Sequence, residues 1–395
     1  MLKMVKNIEV KESILDKKSA FNVKRFRIGK LNVDRPIKTV DAGKLTRTLF
    51  DKEKWKFQNV IFEYSKIVKL ETVNNILSET EDKKIKKIFG FEEWMEPYPH
   101  VFLHTLTFNP YKEFESIDRM LGYFDHYYEF SDPILFVPNI QIKKYDKNTG
   151  KKVQIIGIEE YIKFVHDTYQ IFDYRSEKPI FVPLSLKFGI DDIRRLASEY
   201  IRNEFFCVWI DFEGSAVTKP KIARIRSFIR EFDSAKRIED LIIFSTNIKR
   251  EILSNPRIKE TPASDILASL IGSNIIGVNR EPLRPIGKIL SEKERSELKK
   301  HKARVFDRPT YYYLKVVETS NYDVDTRNRL MNPKYNILFN SRLIDEELAS
   351  QTEHFLKAGD IEGYVTQKRM IKEYREGELI RALFPSKEER ITDWF

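Results

Sequence analysis

Four carboxylates, Asp41, Glu63, Asp211 and Glu213, fall at the ends of short apolar runs, where a strand hands its last side chains to a loop. Asp211 and Glu213 are two residues apart, so a strand continuing through them points both to one side. Two carboxyl groups whose proton affinities are pushed apart can share the work of nucleophile and acid/base. Asp41, Asp211 and Glu213 are therefore the candidate catalytic residues. The structural alternative is that Asp211 bridges strands or caps a turn and that Glu213 is solvated. Amides, hydroxyls and cations stand at equivalent places: His104, Asn139 and Gln141, Ser185 and Lys187, Asn247, and Asn279 with Arg280. Groups of this kind can read the edge of a base by hydrogen bonding. Arg280 or Lys249 suits a phosphate. Loop capping and surface ion pairs would account for the same residues.

The elements that must position these groups recur eight times. The runs are IKTVDAG from Ile37, NVIFEYS from Asn59, VFLHTLT from Val101, ILFVPNI from Ile134, PIFVPLS from Pro179, CVWIDFEGS from Cys207, LIIFSTN from Leu241 and NIIGVN from Asn274. Each of the first seven is followed by a stretch long enough for a helix. Strands alternating with helices predict parallel β-α units. Eight of them predict an α/β fold of the (β/α)8 TIM-barrel type, whose chemistry lies at the carboxyl ends of the strands. Residues 1–35 are expected to form a cover containing the hairpin FNVKRFRIGKLNV, residues 36–285 the barrel, and residues 286–395 a small, mostly helical C-terminal region.

Asp191–Asn203 and Lys221–Phe232 are the best helices, each with an apolar stripe. Glu71–Pro99 and Asp146–Lys178, the latter opening on the turn KNTG, are longer than simple connections. REPLRP is a Pro-broken exit from the last strand, and Ser291–His301 reads as a charged helix. RVFDRPTYYYLKVVE reads as a strand or hairpin, and residues 336–384 as helices broken near Gly359. The triplet Tyr311–Tyr313 could stack on bases, but alternating aromatics in a C-terminal strand are more often packing.

The chain has 395 residues, 41% hydrophobic and 33% charged, enough for one large domain with an appendage. No apolar run approaches the ~18 residues that span a bilayer, and the first residues lack the apolar core of a signal peptide. The expectation is a cytoplasmic protein with no membrane partner. A single cysteine, Cys207, excludes an intramolecular disulfide and a multi-cysteine zinc site. The six histidines show no ligand spacing and there is no phosphate-binding glycine loop, so neither a metal nor a cofactor is expected. Seventy Lys and Arg against 60 Asp and Glu give a net charge of +10, which suits nucleic acid as a partner.

Three stretches resemble the tRNA-guanine transglycosylase family, including its DNA-modifying branch. PIFVPLSLKFGIDDIRRLASEYIRNEFFCVWIDFEGSAV is similar to the family's fifth strand, following helix and sixth strand. ASDILASLIGSNIIGVNREPLRP is similar to the entry into and exit from the eighth strand. KYNILFNSRLIDEELASQTEHFLKAGDIEGYVTQKRMIKEY is similar to the C-terminal helical region. The opening RIGKLNV and RPIKTV resemble the N-terminal hairpin and first strand. The resemblance implies base exchange, in which guanine in tRNA or DNA is replaced by a 7-deazaguanine through a covalent ribosyl-carboxylate intermediate.

The departures from the family are specific. The position of the attacking carboxylate falls on Gly277, and that of a second carboxylate near His104 and Thr105. The family's Gly-Gly after the sixth strand becomes Asp211-Phe212-Glu213-Gly214, and Tyr335 stands where a zinc-ligand histidine would precede Asn336. The expected function is a divergent glycosyltransferase of this type, with its nucleophile moved to Asp211 or another rim acid. One alternative is a catalytically silent relative that binds nucleic acid or an active partner subunit, in a homo- or heterodimer. Another is a barrel recruited to unrelated chemistry.

Overall fold

The computed structural model describes residues 3–5, 8–16, 18–53, 60–145, 150–175, 177–251, 259–280, 291, 303–373 and 378–385. All eight runs contain strand, and all of those strands pair in parallel. They lie in two sheets. One orders Asn139–Ile140, His100–Leu106, Phe62–Val68 and Val40–Asp41. The other orders Ile37–Lys38, Ile275–Ile276, Ile242–Ile248, Cys207–Ser215, Ile180–Ser185 and Leu135–Phe136. The first and fourth runs each place one segment in either sheet. This is an α/β fold built on parallel strands, with helices such as Ile158–Arg175, Ile190–Arg202 and Lys219–Ser234 between them.

Side-chain alternation explains what the strands bury. Phe136, Phe181, Trp209 and Phe244 pack edge-on and offset, with centroids 5.0–6.4 Å apart, and the Trp209 indole donates to Val137 O at 2.9 Å. Two residues further along the same strands come Asp211 and Thr246. The aromatic layer is thus followed, toward the carboxyl ends, by a polar one. On the opposite face Tyr64 stacks on Phe102 at 4.6 Å. Cys207, at the start of the sixth strand, is buried, and burial pushes its thiol up to about 12.

The N-terminal residues form a four-stranded antiparallel sheet in chain order, Lys3–Val5, Ile8–Leu15, Asn22–Ile28 and Leu31–Val33. Gly29, at φ +55°, makes the tight turn between the last two. This sheet sits against the amino-terminal ends of the seventh and eighth strands. There the buried Lys24 ammonium donates to Ile238 O at 2.8 Å, Glu239 O at 3.1 Å and Leu241 O, and Asn22 exchanges hydrogen bonds with Gly272 O and Asn274.

After the eighth strand, Arg304–Asp307 and Tyr312–Lys315 form the expected hairpin, joined by Glu260–Pro262 as a third strand. The helix Pro333–Ala358 starts at the Asn332 cap, with proline in its first turn, and ends at Gly359, φ +79°. Asp345 on this helix accepts from both terminal nitrogens of Arg35, at 3.0 and 2.8 Å, and from the Lys38 amide at 3.2 Å. Most of the KNTG turn, the rest of REPLRP after Arg280, and Ser291–His301 beyond its first residue lie outside the described residues. Among the described residues no helix is long and apolar enough to cross a membrane.

The Arg35–Asp345 contact is part-buried and charge-assisted. Replacing Asp345 by alanine should lower the unfolding free energy by about 2 kcal/mol. Urea denaturation measures this, and a loss under about 0.5 kcal/mol, the size of ordinary surface changes, would show that the contact does not hold the helix to the first strand.

Candidate functional site

Two carboxylate networks lie among the parallel strands. One is on Glu63, the second residue of Phe62–Val68 and so not at the carboxyl end that the sequence suggested, and the other on Asp211, midway along Cys207–Ser215. The first is centred on Glu63, which is fully buried. Its Oε2 accepts from Thr39 Oγ1 at 2.7 Å and from the Val278 amide at 2.9 Å, and its Oε1 accepts from Thr246 Oγ1. Burial pushes the carboxyl up to about 7, against the opposing pull of Thr246, Thr39, the Val278 amide and the Lys38 charge. The Lys38 ammonium, also buried, donates to Gly277 O, and burial lowers its proton affinity.

Gly277 is a glycine for a steric reason. A Cβ at this position would lie 2.5 Å from Thr246 Cβ and 2.6 Å from Glu63 Oε2. The space that a side chain at 277 would need is therefore filled by the Glu63 carboxyl and Thr246. Beside it, Asp265 Oδ2 accepts from Tyr313 OH at 2.8 Å and Asn279 Nδ2 at 2.9 Å, and burial raises the Asp265 carboxyl.

The second network is centred on Asp211. Thr105 Oγ1 donates to its Oδ2 at 2.6 Å, while Asn247 Nδ2 at 2.9 Å and the Glu213 amide at 2.8 Å donate to its Oδ1. Ser65 Oγ in turn donates to Asn247 Oδ1 at 2.8 Å. Both Asp211 oxygens are thus engaged inside the fold. After Asp211 the strand register changes. Asp211 pairs with Thr246 and Ser215 with Ile248, so four steps on one strand oppose two on the other. This is a bulge, with Glu213 at φ +49° and Gly214 at φ +69°. A left-handed glutamate costs about 1 kcal/mol or more and signals a position that its surroundings hold in place.

The bulge sets Glu213 among cations. Its Oε2 is 3.5 Å from Lys187 Nζ, and its Oε1 is buried without a hydrogen-bond partner. Burial, then the Asp211 charge, raise the Glu213 carboxyl, with Lys187 and Lys221 opposing. Lys221 donates to Ser215 Oγ and to Ala216 O at 3.1 Å. Its ammonium is pushed down to about 8 by burial and then by Lys187, against Glu213 and Asp211. An acid held up and an amine held down in each other's field make a pair suited to proton transfer.

The remaining expected residues divide. Ser185 is buried in register with Asp211, and its Oγ accepts the Lys187 amide at 3.4 Å. Asn139, in register with Thr105, accepts from Tyr161 OH at 2.8 Å, and its Nδ2 is buried without a partner. Gln141 is half-buried just beyond it, held by a backbone bond to Leu106 O. Asp41 ends the first strand and pairs with Lys44 at 2.8 Å. Asn279 is committed to Asp265 and Ile248 O, and the Arg280 amide donates to Ile248 O.

One expected site residue needs correction. His104 does not join these groups. As the neighbour of Thr105 it points to the other face, where it packs on Phe89, Tyr123 and Tyr127 and shares a 2.7 Å hydrogen bond with Tyr123 OH. Burial, then Lys66, lower its proton affinity to about 3. The tyrosine triplet packs, as aromatics in such a strand more often do: Tyr311 and Tyr313 are fully buried and bonded to Glu347 and Asp265. Lys38, Ser65, Thr246, Lys221 and Asp265 were absent from the sequence-based set. For Lys221 the only signal was its place one turn beyond the sixth strand, in VTKPK.

No protein-family model matches this chain, and no curated protein matches it. Among solved structures it is similar to a probable tagatose 6 phosphate kinase from Sinorhizobium meliloti, at 9% identity over 88% of this chain and 92% of that one, with a TM-score of 0.39. It is similar to the carboxyl transferase domain of Rhizobium etli pyruvate carboxylase, at 9% identity over 80% and 48%, with a TM-score of 0.36. A truncated 3-deoxy-D-arabino-heptulosonate 7-phosphate synthase from Thermotoga maritima aligns at 9% identity over 64% and 79%, with a TM-score of 0.31. Nothing about the site is carried over from these structures.

Gly277→Ala should destabilise the fold by about 1–3 kcal/mol, the range for forcing a methyl into a packed site. A urea midpoint equal to that of the wild type would show that Thr246 and Glu63 move aside freely. Glu63 generates a pH dependence whose sign can be worked out. In the fold it keeps its proton to about pH 7, whereas an unfolded glutamate releases it near 4.5. Between those values ionisation favours the unfolded chain, so stability falls as pH rises through that window and this contribution is constant outside it. Glu63→Gln should flatten that part of the stability profile, and an unchanged slope would assign it to other groups.

Proposed function

We propose that the two parallel sheets are halves of one closed (β/α)8 barrel, and that its carboxyl end acts on a nucleotide unit of tRNA or DNA. Closure is supported by pairing on both sides of the split strands: Ile37 with Ile275 and Val40 with Phe62 in the first, Leu135 with Ile180 and Asn139 with Thr105 in the fourth. The activity we infer is base exchange of transglycosylase type, guanine for a 7-deazaguanine, as the resemblance of the three stretches implies.

The observation that carries a catalytic reading is the bulge that sets Glu213 beside Lys187 and Lys221. In this reading Glu213, with its unpartnered Oε1, is the attacking carboxylate, and Asp211 positions it through the Glu213 amide. Glu213 forms a bond to the ribose anomeric carbon as the glycosidic bond breaks, and the bond's electron pair leaves with the base. Lys221, still protonated below about pH 8, can give the departing base its proton. Lys187 serves as a point charge for a phosphate.

A second reading, a silent relative that binds nucleic acid or an active partner, is favoured by specific observations. Gly277 has no room for a side chain, and Asp211 already uses both oxygens internally.

The deciding experiment is incorporation of radiolabelled guanine or 7-deazaguanine into tRNA and duplex DNA. Wild type should incorporate label, with a rate that falls above about pH 8 as Lys221 loses its proton. Glu213→Gln should cut the rate by about a hundredfold or more, and more severely than Asp41→Asn. Incorporation unaffected by Glu213→Gln would remove this assignment. No incorporation, with nucleic-acid binding that weakens steeply with salt, would establish the silent reading.

A further inference from the structure

The connection after the fourth strand, which the sequence marks as longer than a simple one, carries a ribbon of its own. Lys143–Tyr145 and Lys152–Gln154 pair antiparallel, with Lys143 opposite Gln154, Lys144 opposite Val153 and Tyr145 opposite Lys152. Among the described residues neither strand pairs with any other. A lone two-stranded ribbon is marginal in water, and this one is held at its base. Ile142 and Ile156 are buried there, the Ile155 amide donates to Ile142 O at 2.9 Å, and Asn109 Nδ2 donates to Ile155 O at 3.3 Å.

Beyond that base the ribbon carries charge. Lys143, Lys144, Lys151 and Lys152 are all exposed, and its described residues, 143–145 and 150–154, include no carboxylate, a balance of +4. The whole chain carries only +10 over 395 residues. Exposed lysines elsewhere, such as Lys18, Lys84 and Lys357, each lie within 2.8 Å of a glutamate. Among the described residues none of the four ribbon ammonium groups has such a partner. Cross-strand neighbours face the same way, so Lys143, Lys152 and Gln154 share one face, and Lys144, Lys151 and Val153 the other. Val153 is itself 50% exposed, so neither face is packed into the core at this point.

The ribbon leaves the fold on the side where the fourth strand ends. Lys143 is four residues past Asn139, which is in register with Thr105, and the Thr105 hydroxyl donates to Asp211 at 2.6 Å. Four residues span at most about 14 Å. We propose that the ribbon is a docking arm for the phosphate backbone of nucleic acid, holding it beside the carboxyl ends of the strands. This rests on the reading of nucleic acid as the substrate. Lysine ammonium groups meet phosphates as point charges and displace their condensed counterions. Such contacts position a strand without reading its sequence. The competing role for these lysines is to keep exposed strand edges from pairing with other chains, and that role leaves nucleic-acid affinity untouched.

Fluorescence anisotropy of the full chain with labelled duplex DNA and with labelled tRNA, across a salt series, tests it. Replacing Lys143, Lys144, Lys151 and Lys152 together by glutamine should weaken binding by about tenfold or more and flatten the slope of log affinity against log salt by about two to four. Replacing Lys30, Lys83, Lys87 and Lys334, exposed lysines elsewhere, removes the same charge and should change the slope by less than about one. If circular dichroism shows the ribbon variant unfolded, two smaller variants carry the test: Lys143→Gln with Lys152→Gln, and Lys144→Gln with Lys151→Gln. Each should flatten the slope by about one to two. The nucleic acid whose binding suffers more identifies the source of the docked backbone. Ribbon and control variants with equal slopes would overturn the docking arm alone and leave edge protection in its place. Wild type that binds neither nucleic acid at low salt would overturn the arm together with the reading it rests on.

Discussion

A single buried carboxyl group ties four strands together. Glu63 stands on the second strand and takes hydrogen bonds from Thr39 on the first, Thr246 on the seventh and the Val278 amide after the eighth. The strand ladder alone fixes backbone spacing. The Glu63 contacts tie the second strand, in one sheet, to the seventh and eighth, in the other. A buried polar group tolerates this position only because its lone pairs are met. The geometry also dictates the neighbours: residue 277 must lack a Cβ, and Thr246 must keep its rotamer. Since Thr246 lies in register with Asp211, and Asp211 with Ser185, the row that leads to the bulge inherits its placement from the Glu63 contacts.

The repeat of apolar runs was legible because parallel strands buried on both faces read as continuous β-branched and aromatic segments. All eight appear, as do the hairpin ending at Leu31–Val33 and the helix break at Gly359. Alternation also contains the correct facing of His104. Thr105 beside it turns toward Asp211, so His104 must turn away, yet a residue type suggestive of chemistry outweighed that pattern. The tyrosine triplet reads correctly as packing, because alternating aromatics in a strand seldom stay exposed. Asp211 and Glu213 were expected to share a side through simple period-two spacing. The bulge breaks that spacing, and no local sequence rule short of the glycine at 214 announces it. Glu63 was expected where its strand ends, yet the strand begins at Phe62 and runs on to Val68, and its partners are at least 24 residues away in sequence.

The two ends of the strands are built from different materials. At the amino end, a separate antiparallel sheet supplies Lys24 and Asn22 to cap backbone carbonyls and to bond the Asn274 side chain. Toward the carboxyl end the strands' own residues provide the polar groups, and there Glu213, Gly214 and Asn247 have positive φ, as Glu204, Lys236 and Gly272 do in the turns before the amino ends. Regular backbone positions its side chains by symmetry. Irregular backbone must be held by specific contacts, and the Asp211 carboxylate accepting the Glu213 amide is one such contact.

Cys207 gives the molecule a built-in clock. It is the only thiol in the sequence, it sits at the first residue of the sixth strand, and burial keeps it protonated far above neutral pH. A thiol reagent can reach it only when the core opens, so its alkylation rate follows the unfolding equilibrium rather than surface chemistry. A cysteine placed on any exposed helix face would meanwhile react at once, allowing a fluorophore to be attached there while the native thiol stays silent and times the opening of the strands around it.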